Sequence, residues 1–176
     1  MAQRHSYKFW YFPVRARGEH LRYLLAQSGV QYEDVIQPPD TWPQLKPATP
    51  FGGLPMLEVD GKAMISKQVN QYLVPFFGKQ DFDKAKQIFK ADCEQAFNAF
   101  CERYSKFLQE NGGKWLVGER VSWADLFCAE LLDRVLKGLN EHALDAYPLL
   151  KEHCARVHAL PNIKKYAENR KTFPLW

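Results

Sequence analysis

No cysteine occurs before Cys93. That absence removes dithiol redox chemistry from the N-terminal half. The four cysteines, Cys93, Cys101, Cys128 and Cys154, form no Cys-x-x-Cys pair. They read as free thiols of a reducing compartment, so a cytoplasmic setting is expected. No apolar run approaches ~18 residues, which argues against a membrane-spanning helix. Met1-Ala2-Gln3-Arg4-His5-Ser6 lacks the apolar core of a signal peptide. No His/Cys/Asp/Glu cluster has metal-ligand spacing, and no metal is expected. There is no Gly-rich phosphate loop and no Ser-His-Asp signature. A net charge of +4 with dispersed Lys and Arg gives no basic stripe, so nucleic acid is not an expected partner.

What is present supports a folded chain. The 176 residues are 46% hydrophobic and 25% charged, against disorder. Aromatic content is 14%, a dense core or an aromatic-lined pocket. Tyr7 to Phe12 reads as a strand. Pro13 to Glu19 turns the chain, and His20 to Ala26 continues as a helix stopped at Gly29. Gln31 to Ile36 is a second strand, and Thr41 to Lys46 a weak helical turn. Pro47 to Gly53 is rich in breakers. Met56 to Val59 and Lys62 to Ile65 are strands joined by Asp60-Gly61, a two-residue hairpin signal. Ser66 caps a helix over Lys67 to Phe76. This is a βαβ unit followed by a hairpin and a helix, an α/β arrangement of the first 78 residues.

After a linker over Lys79 to Phe82 the pattern becomes helical. From Asp83 to Asn111 the apolar positions Ile88, Phe89, Cys93, Phe97, Phe100, Tyr104, Phe107 and Leu108 step by three or four. Ser122-Trp123-Ala124-Asp125 reads as a capping box. The helix after it is apolar nearly all round and is expected to be central and buried. Pro148 and Pro161 open two further helices.

Local chemistry nominates several residues, each with a plainer alternative. Tyr11 ends a strand and is either packing or a reactive phenol. Arg15 and Arg17 flank the turn, as surface charges or as an anion-binding pair near a helix N-terminus. A cis Leu54-Pro55 bond would turn the Leu54 backbone outward to pair with a peptide-like ligand; a trans bond is a simple stop. Ser66 is a cap, or a cap that also holds a carboxylate. Trp42 and Lys46 share one side of a weak helix, as a half-buried ring with an exposed charge or as a wall and cation for a second carboxylate.

Together these stretches resemble the cytosolic glutathione transferases, in particular the sigma-like group of haematopoietic-type prostaglandin D synthases and many nematode enzymes. The resemblance runs through Tyr7 to Tyr23, Tyr32-Glu33-Asp34, Trp42-Pro43, Pro50 to Gly61, Gly118 to Asp125 and Ala159-Leu160-Pro161. It implies a thioredoxin-like glutathione-binding domain over residues 1–78 and an all-α domain over residues 79–176. It implies glutathione as co-substrate, a small hydrophobic second substrate and a homodimer. By the same resemblance Tyr11 is the catalytic tyrosine that hydrogen-bonds the glutathione sulfur, and Arg17 adds positive potential beside it. Trp42 and Lys46 hold the glycine end. Leu54 pairs through its backbone with the cysteinyl part, Pro55 is the cis-proline, and Ser66 holds the γ-glutamyl carboxylate. The implied activity is conjugation to hydrophobic electrophiles, or glutathione-dependent isomerisation of prostaglandins or peroxides.

The chain departs from that pattern in four places. Ile65 stands where the family usually has Gln, Gly53 where Lys or Gln is common, and the helix after Ser66 is unusually polar. The segment between the linker and Gly112-Gly113 accommodates one long helix where the family has two in succession. A non-catalytic relative that binds hydrophobic ligands or serves a structural role is the alternative reading.

Overall fold

The structure, a computed structural model, describes residues 5–49, 52–65, 86–87 and 89–173. Contacts divide the chain into two compact units. One is Met1–Phe77 together with Lys171–Trp176, the other Gly78–Arg170.

The first unit is built on a four-stranded sheet in the order β2-β1-β3-β4. The strands are β1 (Tyr7–Tyr11), β2 (Glu33–Ile36), β3 (Met56–Val59) and β4 (Lys62–Ile65). β1 runs parallel to β2 and antiparallel to β3, and β3 is antiparallel to β4. The hairpin bounds match the sequence expectation. Asp60 and Gly61 both take positive φ, 51° and 77°, the conformation a two-residue loop between twisted strands demands. The Asp60 carboxylate also accepts from the Ser6 N–H at 2.8 Å and pairs with His5 at 2.6 Å. These contacts hold it below the usual carboxylate range and tie the start of the chain to the hairpin.

Alternation along β1 buries Phe9 and Tyr11 on the same face. There they join Ala16, Leu25, Leu54 and Met56 in one core cluster. Helix α1 (Ala16–Ser28) begins four residues earlier than the His20 start read from the sequence. The reason is local: the Arg15 carbonyl accepts from the N–H groups of Gly18 and Glu19, at 3.0 and 2.9 Å, and opens the helix inside the expected turn. Gly29 closes it in the left-handed conformation, as expected. Short helix α2 (Trp42–Leu45) runs into a 3₁₀ turn at Lys46–Ala48.

Ala16 is a non-glycine residue at φ 27°, where L side chains are strained. Ala16→Gly relieves that strain by about 1 kcal/mol but removes a fully buried methyl group worth about 0.8 kcal/mol, so the urea midpoint should stay close to the parent's.

In the second unit, helix α3 (Glu94–Glu110) follows a π-helical turn at Phe89–Cys93. The expected periodic segment is thus helical where described, with a change of winding that periodicity did not reveal; its Asp83 start lies outside the described residues. Helices α4 (Trp123–Gly138), α5 (Pro148–His158) and α6 (Pro161–Asn169) follow. α5 packs against α3, α4 and α6. As expected, α4 is buried over much of its circumference, with Leu126, Cys128, Ala129, Leu132 and Val135 all inside.

Asp125 organises the start of α4. It forms the expected capping box with Ser122. Its Oδ2 accepts from the Ser122 N–H and hydroxyl at 2.7 and 2.6 Å, and its Oδ1 accepts from the Leu116 N–H at 2.8 Å. Buried His153 of α5 reaches the same Oδ1 at 2.8 Å. Burial pushes the Asp125 carboxyl up, but the hydrogen bonds from His153, Ser122 and Leu116 outweigh it and hold the group below its ordinary range. Among the described residues no helix is long and apolar enough to cross a membrane.

Candidate active site

The candidate residues of the first unit gather where β1 ends and α1 begins. Trp10 pairs with Met56 across the sheet, and Pro55 immediately precedes that residue. The Leu54–Pro55 peptide is cis. Leu54 is buried in the same cluster as Tyr11.

Tyr11 is fully buried. Its ring lies 6.2 Å from Phe9 and 5.8 Å from Phe12, with the Arg22 guanidinium 5.8 Å from its centroid. Its Oη accepts a hydrogen bond from the backbone N–H of Arg17 at 3.2 Å. Arg17 is the second residue of α1, so the phenol oxygen sits at the positive end of that helix. A phenol that accepts one hydrogen bond becomes a better donor through its own O–H, because hydrogen bonds in a chain polarise one another.

The guanidinium network beneath is also buried. Arg22 donates to Asp34 at 3.0 and 3.3 Å, to Glu19 at 3.4 Å and to the Val14 carbonyl at 3.2 Å. Arg15 pairs with Glu19 at 3.6 Å. The Arg15 side chain is 4% exposed, so this charge is not a surface one. Together these contacts tie the first turns of α1 to β2 and to the turn that follows β1.

Trp42 joins the site through Phe12, with ring centroids 5.5 Å apart and planes at 85°. An edge-to-face contact of this kind adds about 0.5–1.5 kcal/mol beyond area burial. Lys46 is the first residue of the 3₁₀ turn, and its carbonyl accepts from the Thr49 hydroxyl and N–H at 2.8 and 3.2 Å. Its side-chain stem passes Gly52 in the loop before Leu54. The structure thus gathers Tyr11, Arg17, Trp42, Lys46, Leu54 and Pro55 on one unit. Ser66 and the helix after it lie outside the described residues, and Ile65 closes β4. Two contributors escaped the sequence reading: Gly18, which it placed in the turn before the helix, and Arg22, which it did not single out.

A mixed sheet with a phenol at the N-terminus of its first helix, followed by a helical unit around a capped central helix, defines a two-domain architecture: a thioredoxin-like α/β unit and an all-α unit. Comparison with known proteins narrows this. The sequence model of the glutathione S-transferase C-terminal domain matches residues 67–170. Probable glutathione S-transferase 7 of Caenorhabditis elegans is 32% identical over 207 aligned positions, covering 96% of this chain and 98% of that protein. A solved structure of a nematode-specific glutathione S-transferase of C. elegans superposes with a TM-score of 0.80 at 31% identity, over 97% and 100% of the two chains. A monomeric glutathione S-transferase of the hookworm Necator americanus gives 0.79 at 27% identity, over 95% and 98%. The chain belongs to the glutathione S-transferase family of enzymes.

Proposed function

We propose that the chain activates glutathione as a thiolate for attack on small hydrophobic electrophiles. The observation that carries this reading is the hydrogen bond from the Arg17 N–H to Tyr11 Oη, in a buried cluster that also contains Leu54. An ordinary thiol has a pKa of ~8.5, so only a few per cent is ionised near neutrality. Lowering it by about two units requires roughly 2.7 kcal/mol of preferential thiolate stabilisation. A phenol donor already polarised by a helix N-terminus, in desolvated surroundings, is of the right strength to supply most of that.

In this reading the phenol donates to the sulfur, and the Arg17 backbone and charge support the developing anion. The Leu54 backbone pairs with the cysteinyl portion, with Pro55 as its cis neighbour. Trp42 and Lys46 hold the glycine carboxylate, and Ser66 the γ-glutamyl carboxylate. The same thiolate would serve glutathione-dependent isomerisation of a prostaglandin or peroxide. Free Cys93, Cys101, Cys128 and Cys154 accord with a cytoplasmic setting.

The sigma-like assignment rests on the resemblance of the N-terminal stretches. A shortened helical domain rests on the single amphipathic stretch from Asp83 to Asn111, where the family has two helices in succession. The resemblance implies a homodimer, whereas the hookworm neighbour is monomeric. Light scattering at micromolar concentration distinguishes the two.

Titration with glutathione by calorimetry tests the reading at its root, since a chain that does not bind glutathione cannot work this way. Trp42→Ala should then raise the glutathione Kd about tenfold, some 1.4 kcal/mol, with kcat at saturation nearly unchanged. A lower kcat at unchanged Kd would instead place Trp42 away from the glycine end.

A further inference from the structure

We propose that Gly18 is a positioning residue for Tyr11: the missing side chain in the first turn of α1 seats the phenol ring and so sets where its hydroxyl stands. This rests on the reading of Tyr11 as the thiolate stabiliser.

Glycine inside a helix is disfavoured relative to alanine, so its presence at the third position of α1 calls for a cause. The cause is Tyr11. A Cβ on residue 18 would lie 2.2 Å from Tyr11 Cδ1 and 2.7 Å from both Cε1 and Cγ. These are one edge of the ring, including the atom bonded to the tyrosine Cβ. Rotation of the ring about its own axis moves Cδ1 and Cε1 but leaves Cγ in place. Relief therefore requires a change of χ1 or a shift of the backbone of β1 or α1.

Neither element yields freely. The Gly18 N–H is bonded to the Arg15 carbonyl at 3.0 Å, which fixes residue 18 within the turn. Phe9, Phe12 and the Arg22 guanidinium stand around the ring. The same helical turn thus grips the phenol at two points: Gly18 admits the ring, and the neighbouring Arg17 N–H holds the oxygen. An added methyl group pushes the ring away from α1. Oη lies at the far end of a rigid ring, so a small displacement at Cγ becomes a larger one at the hydroxyl.

The test is a cycle over Gly18→Ala and Tyr11→Phe, reading the ultraviolet absorbance of the glutathione thiolate against pH, with kcat and glutathione Kd for each protein. Gly18→Ala is expected to raise the bound-thiol pKa by about one unit and cut kcat about tenfold, with Kd within about threefold of the parent. In the Tyr11→Phe background the same substitution should leave the thiol pKa essentially unmoved, since there is no hydroxyl left to misplace. A folded Gly18→Ala protein with the parental thiol pKa overturns the inference, as does an equal shift in both backgrounds. If Tyr11→Phe alone does not move the thiol pKa, the reading of Tyr11 falls and this inference falls with it. If Tyr11→Phe moves it and Gly18→Ala does not, only the role of Gly18 is lost. Should Gly18→Ala fail to fold, the pair Tyr11→Ala/Gly18→Ala decides: recovery of the native circular dichroism supports the ring contact, and no recovery overturns it.

Discussion

Tyr11→Phe should lower kcat for conjugation about 10²-fold while glutathione still binds, because it deletes the hydroxyl that donates to a developing charge. The ring is retained, so its packing against Phe9, Phe12 and Gly18 survives. What disappears is the hydroxyl that accepts from the Arg17 N–H. Losing that bond costs stability on the order of 1 kcal/mol, too little to unfold the chain. The pH profile carries the diagnosis. With the phenol present the bound thiol should be ionised well below ~8.5, and the rate should plateau near neutrality. In the phenylalanine variant the rate should climb about tenfold per pH unit toward ~8.5, with the two enzymes converging in alkali. A profile that keeps its midpoint would remove Tyr11 from the chemistry.

The second large effect is on stability and belongs to the helical unit. Asp125→Ala is expected to cost about 3–5 kcal/mol. The carboxylate accepts from the Leu116 N–H, the Ser122 N–H, the Ser122 hydroxyl and His153 Nε2. His153 is fully buried, and its Nδ1 has no partner among the described residues. Without Asp125 neither ring nitrogen of that histidine would be satisfied. Loss of a helix cap alone costs about 1–2 kcal/mol, and the stranded buried donors add the rest. Urea denaturation followed by far-ultraviolet circular dichroism measures it; a loss below about 1 kcal/mol would show that the bonds are replaced by solvent.

The pH dependence has a definite sign. The Asp125 pKa is lowered in the folded chain, so its contribution is present above the unfolded value near ~3.9 and is lost as pH falls through the folded value. Parental stability should therefore drop on acidification below about pH 4, and the drop should be shallower in Asp125→Asn.

Much of this architecture was legible in the chain. The hairpin at Asp60-Gly61, the stop at Gly29, the capping box at Ser122 and the helix starts at Pro148 and Pro161 each rest on a local rule that a few residues suffice to state. The early start of α1 was not legible, because Arg15 and Ala16 carry no capping signal and the helix opens through a backbone carbonyl. The winding change at Phe89–Cys93 was hidden for a related reason, since a π turn shifts the helical phase without altering which residues are apolar.

For the candidate site the division is sharper. Tyr11 at a strand end, Trp42 and Lys46 around a weak helix, and Leu54-Pro55 before β3 are chemical identities at sequence positions, and the chain alone determined them. That Arg22 and Arg15 are buried ion-pair members follows only from how α1 packs on the sheet and β2 beside it. That the Arg17 backbone reaches Tyr11 Oη, and that Gly18 makes room for the ring, depended on tertiary packing. Both are contacts between residues on different elements at distances of a few ångströms. Sequence patterns report periodicity along a chain, and the close approach of two surfaces is decided only when those surfaces are pressed together.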